Sequence, residues 1–461
     1  MDRTIGLWGT IVTLVGFVIG AAVFLLPGEL AAIAGPGVVI AYAIASVVAA
    51  FSCVIAAQIG SVLPISGASF VFATKMTSPF FGFLMTWLII AGVSTAMALL
   101  GHGFAEYLSL IIPEVNKTLV AVTVVILFGL INLFGAQATV RAQAIMVILF
   151  MTILVVFSVT GVATIDATLL TPFVPNGMGS VFSVAVPAFF SYAGFLVVVE
   201  IGGEIRKPHR TIPLALLISF LIVWLCYTAV SLAIVGHVPW QQLAGNSAPV
   251  ATVAEIIFPA WAQTVVTFTI LAAAATSMNS LLLGYSRDIY VLSRVRIFPS
   301  ILSRTSRKHG TPYNSVVLLT ALSVIAVLIG AKISQYATVI VLALMLAQIL
   351  LGVSTLRLPR VMPEQLKKSE FRLSPFWRAF FSTGLILSSA IFVLIGVRGS
   401  PSSAQMLIII LLAGCAYYGI RKHLLNSREI NMSHGVNDHI EESIGDSSDG
   451  VLREITDPLK G

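Results

Sequence analysis

Apolar residues fill long, uninterrupted stretches of this chain instead of alternating with polar ones. We delimit twelve such stretches, most of them close to the length of about 20 residues that a membrane-crossing helix needs. They lie at about residues 5–26, 36–60, 79–112, 118–134, 142–163, 180–203, 213–236, 250–286, 314–331, 334–356, 379–397 and 405–420. Strands of an outer-membrane barrel alternate every second residue, so these runs predict an all-α integral membrane protein with about twelve transmembrane helices.

The composition supports a membrane protein. Of 461 residues, 58% are apolar and 10% are charged, and the mean hydropathy is +1.00. Soluble domains carry about 25% charged residues, so an ordinary cytosolic protein is excluded, as are a disordered chain and a disulfide scaffold. The three cysteines, Cys53, Cys226 and Cys415, lie singly in apolar runs. We interpret them as packing residues, and we expect no cofactor and no firm metal site.

The net charge of +7 is explained by where the basic residues lie. When the loops are assigned alternately to the two sides of a membrane, Lys117, Lys332 and Arg398 fall on one side, and the other 23 of the 26 Lys and Arg fall on the opposite side. Such a bias predicts a multi-pass protein of the cytoplasmic membrane with both termini in the cytoplasm. It also indicates contact with membrane lipid and argues against a nucleic-acid partner.

Domain organisation follows from the same pattern. We assign residues 1–423 to one transmembrane domain and residues 424–461 to a mostly disordered cytoplasmic tail, which holds eight of the nineteen acidic residues and no apolar run of span length.

Two of the spans contain residues that interrupt a membrane helix. The first span has Gly16, Gly20 and Pro27, and the sixth has Pro187 and Gly194. Glycine costs about 1 kcal/mol in a helix interior and proline about 3 kcal/mol, so both segments can unwind near the middle of the membrane. Close helix packing through small residues is the alternative interpretation. The two spans open the two five-span halves of the chain, a placement that favours an inverted repeat with a central site.

Four segments, at 19–27, 63–70, 192–213 and 286–313, carry a resemblance to a known family. They are similar to the helix-one break, the loop after helix two, the sixth helix with its exit, and the loop after helix eight of the amino acid–polyamine–organocation (APC) superfamily. The resemblance covers about residues 5–420. It implies a LeuT-like fold: a five-plus-five inverted repeat (about 5–163 and 180–356) with two peripheral helices (about 379–420).

The resemblance also implies a function and a site. The protein would be a secondary active transporter, a permease or exchanger, that moves amino acids by alternating access. The substrate carboxylate would meet the free backbone amides at Ala21 and Ala22, and the ammonium would meet carbonyls at Val18, Phe190 and Ala193. Phe190 would also cover the substrate as a gate. The complete set of expected substrate-binding residues is Val18, Gly20, Ala21, Ala22, Met97, Phe190, Ala193 and Gly194.

Departures from the family pattern bear on the substrate. Many relatives place an acid two residues after the helix-six glycine, where this chain has Leu196. A buried cationic side chain needs a partner, so we predict a neutral amino acid, with polyamines or other organic cations as the alternative. Some relatives carry a helix-five lysine nine residues after an arginine like Arg141; that position is Phe150 here, which excludes proton coupling through such a lysine.

Coupling is left open between sodium, protons and uncoupled exchange. A sodium site would use the carbonyls of Gly16 and Ile19 together with hydroxyls of the eighth span, which could instead bond back to their own helix. Those hydroxyls are Thr276, Ser277 and Ser280. For protons, Glu200 is a candidate one turn from Glu204, and Glu204 matches a family glutamate at the cytoplasmic mouth, where it would be a gate if it paired with an arginine. Purely structural roles are the alternatives for both.

A membrane enzyme and a membrane sensor are the two alternatives to a transporter. A membrane enzyme would need a cluster of catalytic side chains, but the seven histidines are scattered and no phosphate loop is present, so we expect no enzyme. A transporter-like membrane sensor would use the same site without net flux.

Overall fold

The computed structural model describes residue 3 and residues 5–65, 68–134, 137–246, 248–306 and 311–426, without the side chains of residues 137–145, 260, 263 and 426. Apart from one isolated bridge, its regular structure is helical, because a helix satisfies all of its backbone polar groups internally in an apolar solvent. The predicted tail at 427–461 and residues 66 and 67 of the loop after helix two lie outside the described residues.

The α-helices are α1 Leu7–Ile19, α2 Ala22–Ala34, α3 Val38–Val62, α4 Ala68–Met76, α5 Pro79–Leu108, α6 Lys117–Leu133, α7 Gln137–Ala163, α8 Gly177–Ala188, α9 Val197–Glu200, α10 Pro208–Val235, α11 Pro249–Ile257, α12 Ala260–Arg294, α13 Tyr313–Ile329, α14 Ile333–Val361, α15 Pro363–Lys368, α16 Pro375–Gly399 and α17 Pro401–Asn426. Short 3-10 helices join some of them, among them Phe189–Leu196 and Gly202–Glu204.

The predicted spans correspond to these helices. Among the described residues, nine helical stretches are long and apolar enough to cross a membrane, and Lys117–Leu133 and Tyr313–Ile329 are shorter apolar helices. The first stretch, Leu7–Val62, has 56 residues, about twice what one crossing needs, and a turn at Gly35–Gly37 divides it. Counted as two, it brings the total to twelve.

The eighth span differs from its prediction at both ends. The apolar run at 250–286 was expected to form one helix, but Phe258 and Pro259 separate the short α11 from α12. Proline favours a break here because it restricts the preceding residue to extended backbone. Helix α12 then continues eight residues beyond the predicted end, to Arg294, and therefore includes Arg287 and Asp288.

Helix α5 lies at the centre of the packing. It contacts α12, α13 and α14 from the second half of the chain, and α6 from its own half. Helix α10 packs along α3 and α1, while α16 and α17 pack on the outside of α14. Large apolar side chains such as Leu225, Leu328 and Ile409 are exposed on the outer surface, as expected of positions that face lipid.

Gln58 fastens the segment between α15 and α16 to α3. Its Nε2 donates to the carbonyl of Phe371 (3.2 Å), and its Oε1 accepts from the N–H of Leu373 (2.7 Å). The amide group can donate and accept at the same time, which an ionised carboxylate cannot do, so both bonds depend on glutamine at this position.

Candidate substrate-binding site

The first predicted break is present, and it is abrupt. Helix α1 ends at Ile19 and α2 begins at Ala22, with Gly20 at φ +40° between them. A Cβ built on Gly20 would lie 1.9 Å from Oγ of Ser277 in α12. Glycine is therefore required twice, by the positive φ and by the close approach of α12.

Two buried tyrosines hold the halves of this broken helix. The hydroxyl of Tyr227 in α10 donates to the carbonyl of Ile19 (3.3 Å), and the hydroxyl of Tyr107 in α5 donates to the carbonyl of Phe24 (2.8 Å). The end of α1 and the start of α2 are thus positioned by helices from both halves of the chain.

The second predicted break is drawn out over eight residues. Helix α8 ends at Ala188, just after Pro187, and the chain continues as the 3-10 helix Phe189–Leu196 before α9. A Cβ built on Gly194 would lie 2.5 Å from the ring of Phe17 and 2.9 Å from the side chain of Val18. Gly194 therefore lets the two broken segments touch.

A cavity opens between the two breaks and the helices α5, α12 and α14. The centre of a water-sized sphere can occupy about 60 Å³ of it. One water needs about 10–15 Å³ on this measure, so the cavity holds several waters or a small solute. It is lined by Phe17, Val18, Ile19, Gly20, Ala21, Ala22, Ile89, Gly92, Val93, Ala96, Leu100, Phe190, Ala193, Gly194, Ser277, Leu281, Tyr285, Ile340 and Leu344.

The lining has very few polar side chains. Ser277 and Tyr285 supply its only side-chain hydroxyls, and none of these lining residues is charged. Oγ of Ser277 is buried without a hydrogen-bond partner among the described residues. The backbone provides further polarity, because the first N–H groups of α2 and the last carbonyls of α1 lack partners within their own helices. These groups place partial positive and partial negative charge at the same break.

Seven of the eight residues expected to bind substrate line this cavity, the exception being Met97. Met97 is fully buried in α5, and Ala96 lines the cavity in its place. The face of α5 that meets the cavity contains Ile89, Val93, Ala96 and Leu100, a helical repeat of three to four residues that leaves Met97 on another side. Sequence reasoning thus missed the phase of this helix.

Of the three hydroxyls predicted for a sodium site, those of Thr276 and Ser280 bond back to their own helix, whereas that of Ser277 does not. Oγ1 of Thr276 donates to the carbonyl of Ala273 (2.9 Å), and Oγ of Ser280 donates to the carbonyl of Thr276 (2.8 Å). Both bonds are of the back-bonding kind that was weighed against metal binding. Among the described residues, no three His, Cys, Asp or Glu side chains come together; a sodium site of carbonyl and hydroxyl oxygens does not need such a group.

Next to the cavity, on the side of α9, lies a group of charged residues that we call the acidic layer. It consists of Glu200, Glu204, Arg287 and Asp288. Nη1 of Arg287 donates to Oε1 of Glu204 (2.6 Å), which is the arginine pairing proposed for a gate. Glu200, one turn earlier, is 7% exposed, and Asp288 is 6% exposed. Asp288 was not singled out from the sequence, because the predicted span ended before it.

The chain's N-terminal segment also meets this layer. The N–H of Ile5 donates to the carbonyl of Glu204 (3.0 Å), and the N–H of Arg206 donates to the carbonyl of Ile5 (2.8 Å). The side chain of Arg206 donates to the carbonyl of Arg3 (3.1 Å). These bonds hold the exit of the sixth span against the start of the first.

Glu29 at the far end of α2 was also missed. Its Oε1 accepts from the N–H of Ser334 at the start of α14 (3.2 Å), a helix N-terminus that favours a carboxylate. The sequence offered a signal here, since Glu29 is an acid three residues after the end of the first apolar run. The bond joins α2 and α14 on the opposite side of the cavity from Glu204.

Comparison with known proteins gives a consistent result. A family model described as "Amino acid permease" matches residues 5–419. A branched-chain amino acid permease of Lactococcus lactis is 26% identical over 88% of this chain and 93% of its own length, and one of Bacillus subtilis is 27% identical over 68% and 72%. A vacuolar cationic amino acid transporter of Arabidopsis thaliana is 28% identical over 70% of this chain, which spans 58% of that protein's length.

Proposed function

Because the chain belongs to the amino acid permease family, with the LeuT-like fold of the APC superfamily, we propose that it moves neutral amino acids with apolar side chains across the cytoplasmic membrane by alternating access. The substrate crosses the membrane without being chemically changed. The single observation that carries this proposal is a cavity whose polar groups are concentrated at one helix break and whose remaining walls are apolar.

The backbone at the break suits a zwitterion. The carboxylate is placed against the amides at Ala21 and Ala22 and the ammonium against carbonyls at the end of α1, with Ser277 beside them. The side chain then points toward Ile89, Val93, Ile340 and Leu344. Burial of an aliphatic side chain there contributes about 1.5–3 kcal/mol, whereas a buried cationic side chain without a partner loses several kcal/mol.

The relatives include transporters named for neutral and for cationic amino acids. Two relatives are named branched-chain amino acid permeases, while the vacuolar relative is named a cationic amino acid transporter. The absence of an acid from the lining favours the former assignment for this chain.

A binding screen tests the substrate class. Thermal-shift measurements on the purified protein are expected to show stabilisation by neutral aliphatic amino acids and none by lysine, arginine or a polyamine. Stabilisation by a polyamine alone would refute the assignment.

Membrane orientation and coupling are part of the proposal. The 23 to 3 distribution of Lys and Arg supports a cytoplasmic location of both termini, with Glu204 and Arg287 on the cytoplasmic side of the cavity. Labelling of single cysteines introduced at Lys117 and at Lys367 with an impermeant reagent tests this, and only the first should react from outside.

Uptake into liposomes under an imposed sodium gradient tests sodium coupling, which Thr276→Ala and Ser277→Ala would abolish.

A further inference from the structure

Two buried acidic side chains that the proposed transport site does not use, Glu200 and Asp288, lie on neighbouring helices on the cytoplasmic side of the cavity. A Cβ built on Gly284 of α12 would lie 3.8 Å from Cγ2 of Val197 in α9, so the two helices are in contact at this level. Glu200 and Asp288 follow these residues by three and four positions, which is one helical turn. Both acids are therefore one turn beyond the same contact between α9 and α12.

Both carboxyl groups are withdrawn from water. Glu200 is 7% exposed and Asp288 is 6% exposed. One oxygen of Glu200, Oε2, has no hydrogen-bond partner among the described atoms, and its carboxyl otherwise bonds to the side chain and backbone of Ser69. An ionised carboxylate would not leave an oxygen unpartnered in a buried site without a large loss of solvation.

None of the ion pairs seen among the described residues joins a cation to Glu200 or Asp288. Arg287, which precedes Asp288 in α12, is paired with Glu204 instead. Helix α9 packs against α1, α3, α4 and the flanking 3-10 helices. The ionisable side chains on these elements are Tyr42, Cys53, Lys75, Tyr192 and Glu204. None of them is hydrogen-bonded or ion-paired to Glu200 within the described residues. On α12, Tyr285 is an ionisable group one turn before Asp288.

We propose that Glu200 and Asp288 together form a proton-binding site that holds one shared proton while the cytoplasmic side of the cavity is closed and releases it to the cytoplasm when that side opens. Two neighbouring carboxylates in a dry site cannot both ionise, so the closed state retains a proton between them. When α9 and α12 separate, water reaches both groups, the charges are solvated, and the proton is lost.

Tyr285 links the proton site to the substrate cavity. It lines the cavity and is three residues before Asp288 on α12, so it lies between the cavity and the acids. The ion pair of Glu204 and Arg287 belongs to the same two segments, since Glu204 follows Glu200 by four residues and Arg287 adjoins Asp288. Tyr285, the two acids and the ion pair therefore all lie on segments that must separate for release.

The proposal rests on the proposed function only for its orientation, and its test needs no substrate. A single cysteine at Val197, in a background with Cys53→Ala, Cys226→Ala and Cys415→Ser, reports opening through its reaction with a thiol reagent. The matched protein carries Glu200→Gln and Asp288→Asn as well. The ratio of the two labelling rates at each pH removes the intrinsic pH dependence of the thiol reaction.

Release of one proton makes the opening equilibrium change by up to about tenfold per pH unit. Because the proton stabilises the closed state, that state loses stability as pH rises. The labelling rate of the Val197→Cys protein relative to its matched double variant is therefore expected to rise severalfold between pH 6 and pH 8. Identical pH profiles in the two proteins would overturn the proposal.

Infrared spectroscopy provides a second measurement that does not depend on the cysteine variant. At neutral pH, the unmodified protein is expected to show the carbonyl band of a protonated carboxyl group. The band should disappear in the Glu200→Gln/Asp288→Asn protein and remain in the control Glu255→Gln, which changes an exposed acid on α11. Absence of the band from the unmodified protein would refute the shared proton. Failure of amino acid transport would leave both measurements unchanged, so the two proposals fail separately.

Discussion

The cavity and the acidic layer beside it are built by opposite means. The cavity obtains its polarity from backbone at a helix break and from one unpartnered hydroxyl, with no charged side chain in its lining. The acidic layer obtains its polarity from Glu200, Glu204, Arg287 and Asp288. A site made of backbone groups is disrupted when a substitution adds atoms that fill it. A site made of charged side chains is disrupted when a substitution removes one of the charges. The two regions should therefore respond to different substitutions.

The largest effect is expected from Gly20→Ala. The new Cβ would meet Oγ of Ser277 at 1.9 Å while the residue holds φ at +40°. Strain and overlap together cost about 2–5 kcal/mol, so substrate affinity should fall roughly 30-fold or more. Isothermal titration on folded protein checks this. The control Gly179→Ala, at a glycine with nothing within 4 Å of the added atom, should bind normally. Equal affinity in the Gly20→Ala protein would mean that the break is not part of the site.

Ala22→Leu tests whether the amides of α2 meet the substrate. The larger side chain is expected to occupy the place of the carboxylate and abolish transport, while the protein still inserts and folds. Ala22→Gly is the matched control and should retain uptake, because it adds no atoms. Unchanged substrate affinity in the Ala22→Leu protein would contradict contact at these amides.

Ser277→Ala should change stability and affinity in opposite directions. The buried hydroxyl of Ser277 has no hydrogen-bond partner among the described residues, so its removal should raise the free energy of unfolding slightly. If the hydroxyl meets the bound ammonium, affinity should fall by about 0.5–1.5 kcal/mol, or roughly 2- to 12-fold. Denaturation and binding measured on the same preparation check the two signs. Ser280→Ala, whose hydroxyl already donates to a carbonyl, is the comparison.

The smallest effect is expected at the ion pair. The side chains of Arg287 and Glu204 are 39% and 26% exposed, and partly exposed pairs contribute about 0–1 kcal/mol. Arg287→Gln and Glu204→Gln should each shift the opening of the cytoplasmic side by no more than about fivefold, with little loss of substrate affinity. A double-mutant cycle on the labelling of Val197→Cys measures the coupling. Strictly additive effects of the two substitutions would show that the pair is not a gate.

Local signals in the sequence predicted the two helix breaks, but they did not predict which face of α5 meets the cavity. Gly20, Pro187 and Gly194 act on their own backbone, so their effect can be read without knowing their neighbours. Ala96 and Met97 are adjacent on one helix, and only the packing of α5 decides which one faces the cavity. Hydropathy alone cannot fix that phase when a helix is apolar on all sides.

The missed acid has a similar cause. Asp288 lies beyond the apolar run, where a loop was expected, but α12 continues to Arg294 and carries it into a buried contact with α9. The end of an apolar stretch marks where lipid contact ends, and a helix that is covered by protein can continue past that point.

The central claim is that the cavity between the two breaks binds the backbone of a neutral amino acid. Uptake of labelled neutral amino acids by the purified protein in liposomes tests it most directly, with the Ala22→Leu and Ala22→Gly proteins measured in parallel. The account predicts saturable uptake by the unmodified and Ala22→Gly proteins, none by Ala22→Leu, and no competition from polyamines. Equal uptake by the Ala22→Leu and unmodified proteins, or uptake that only polyamines compete for, would contradict it.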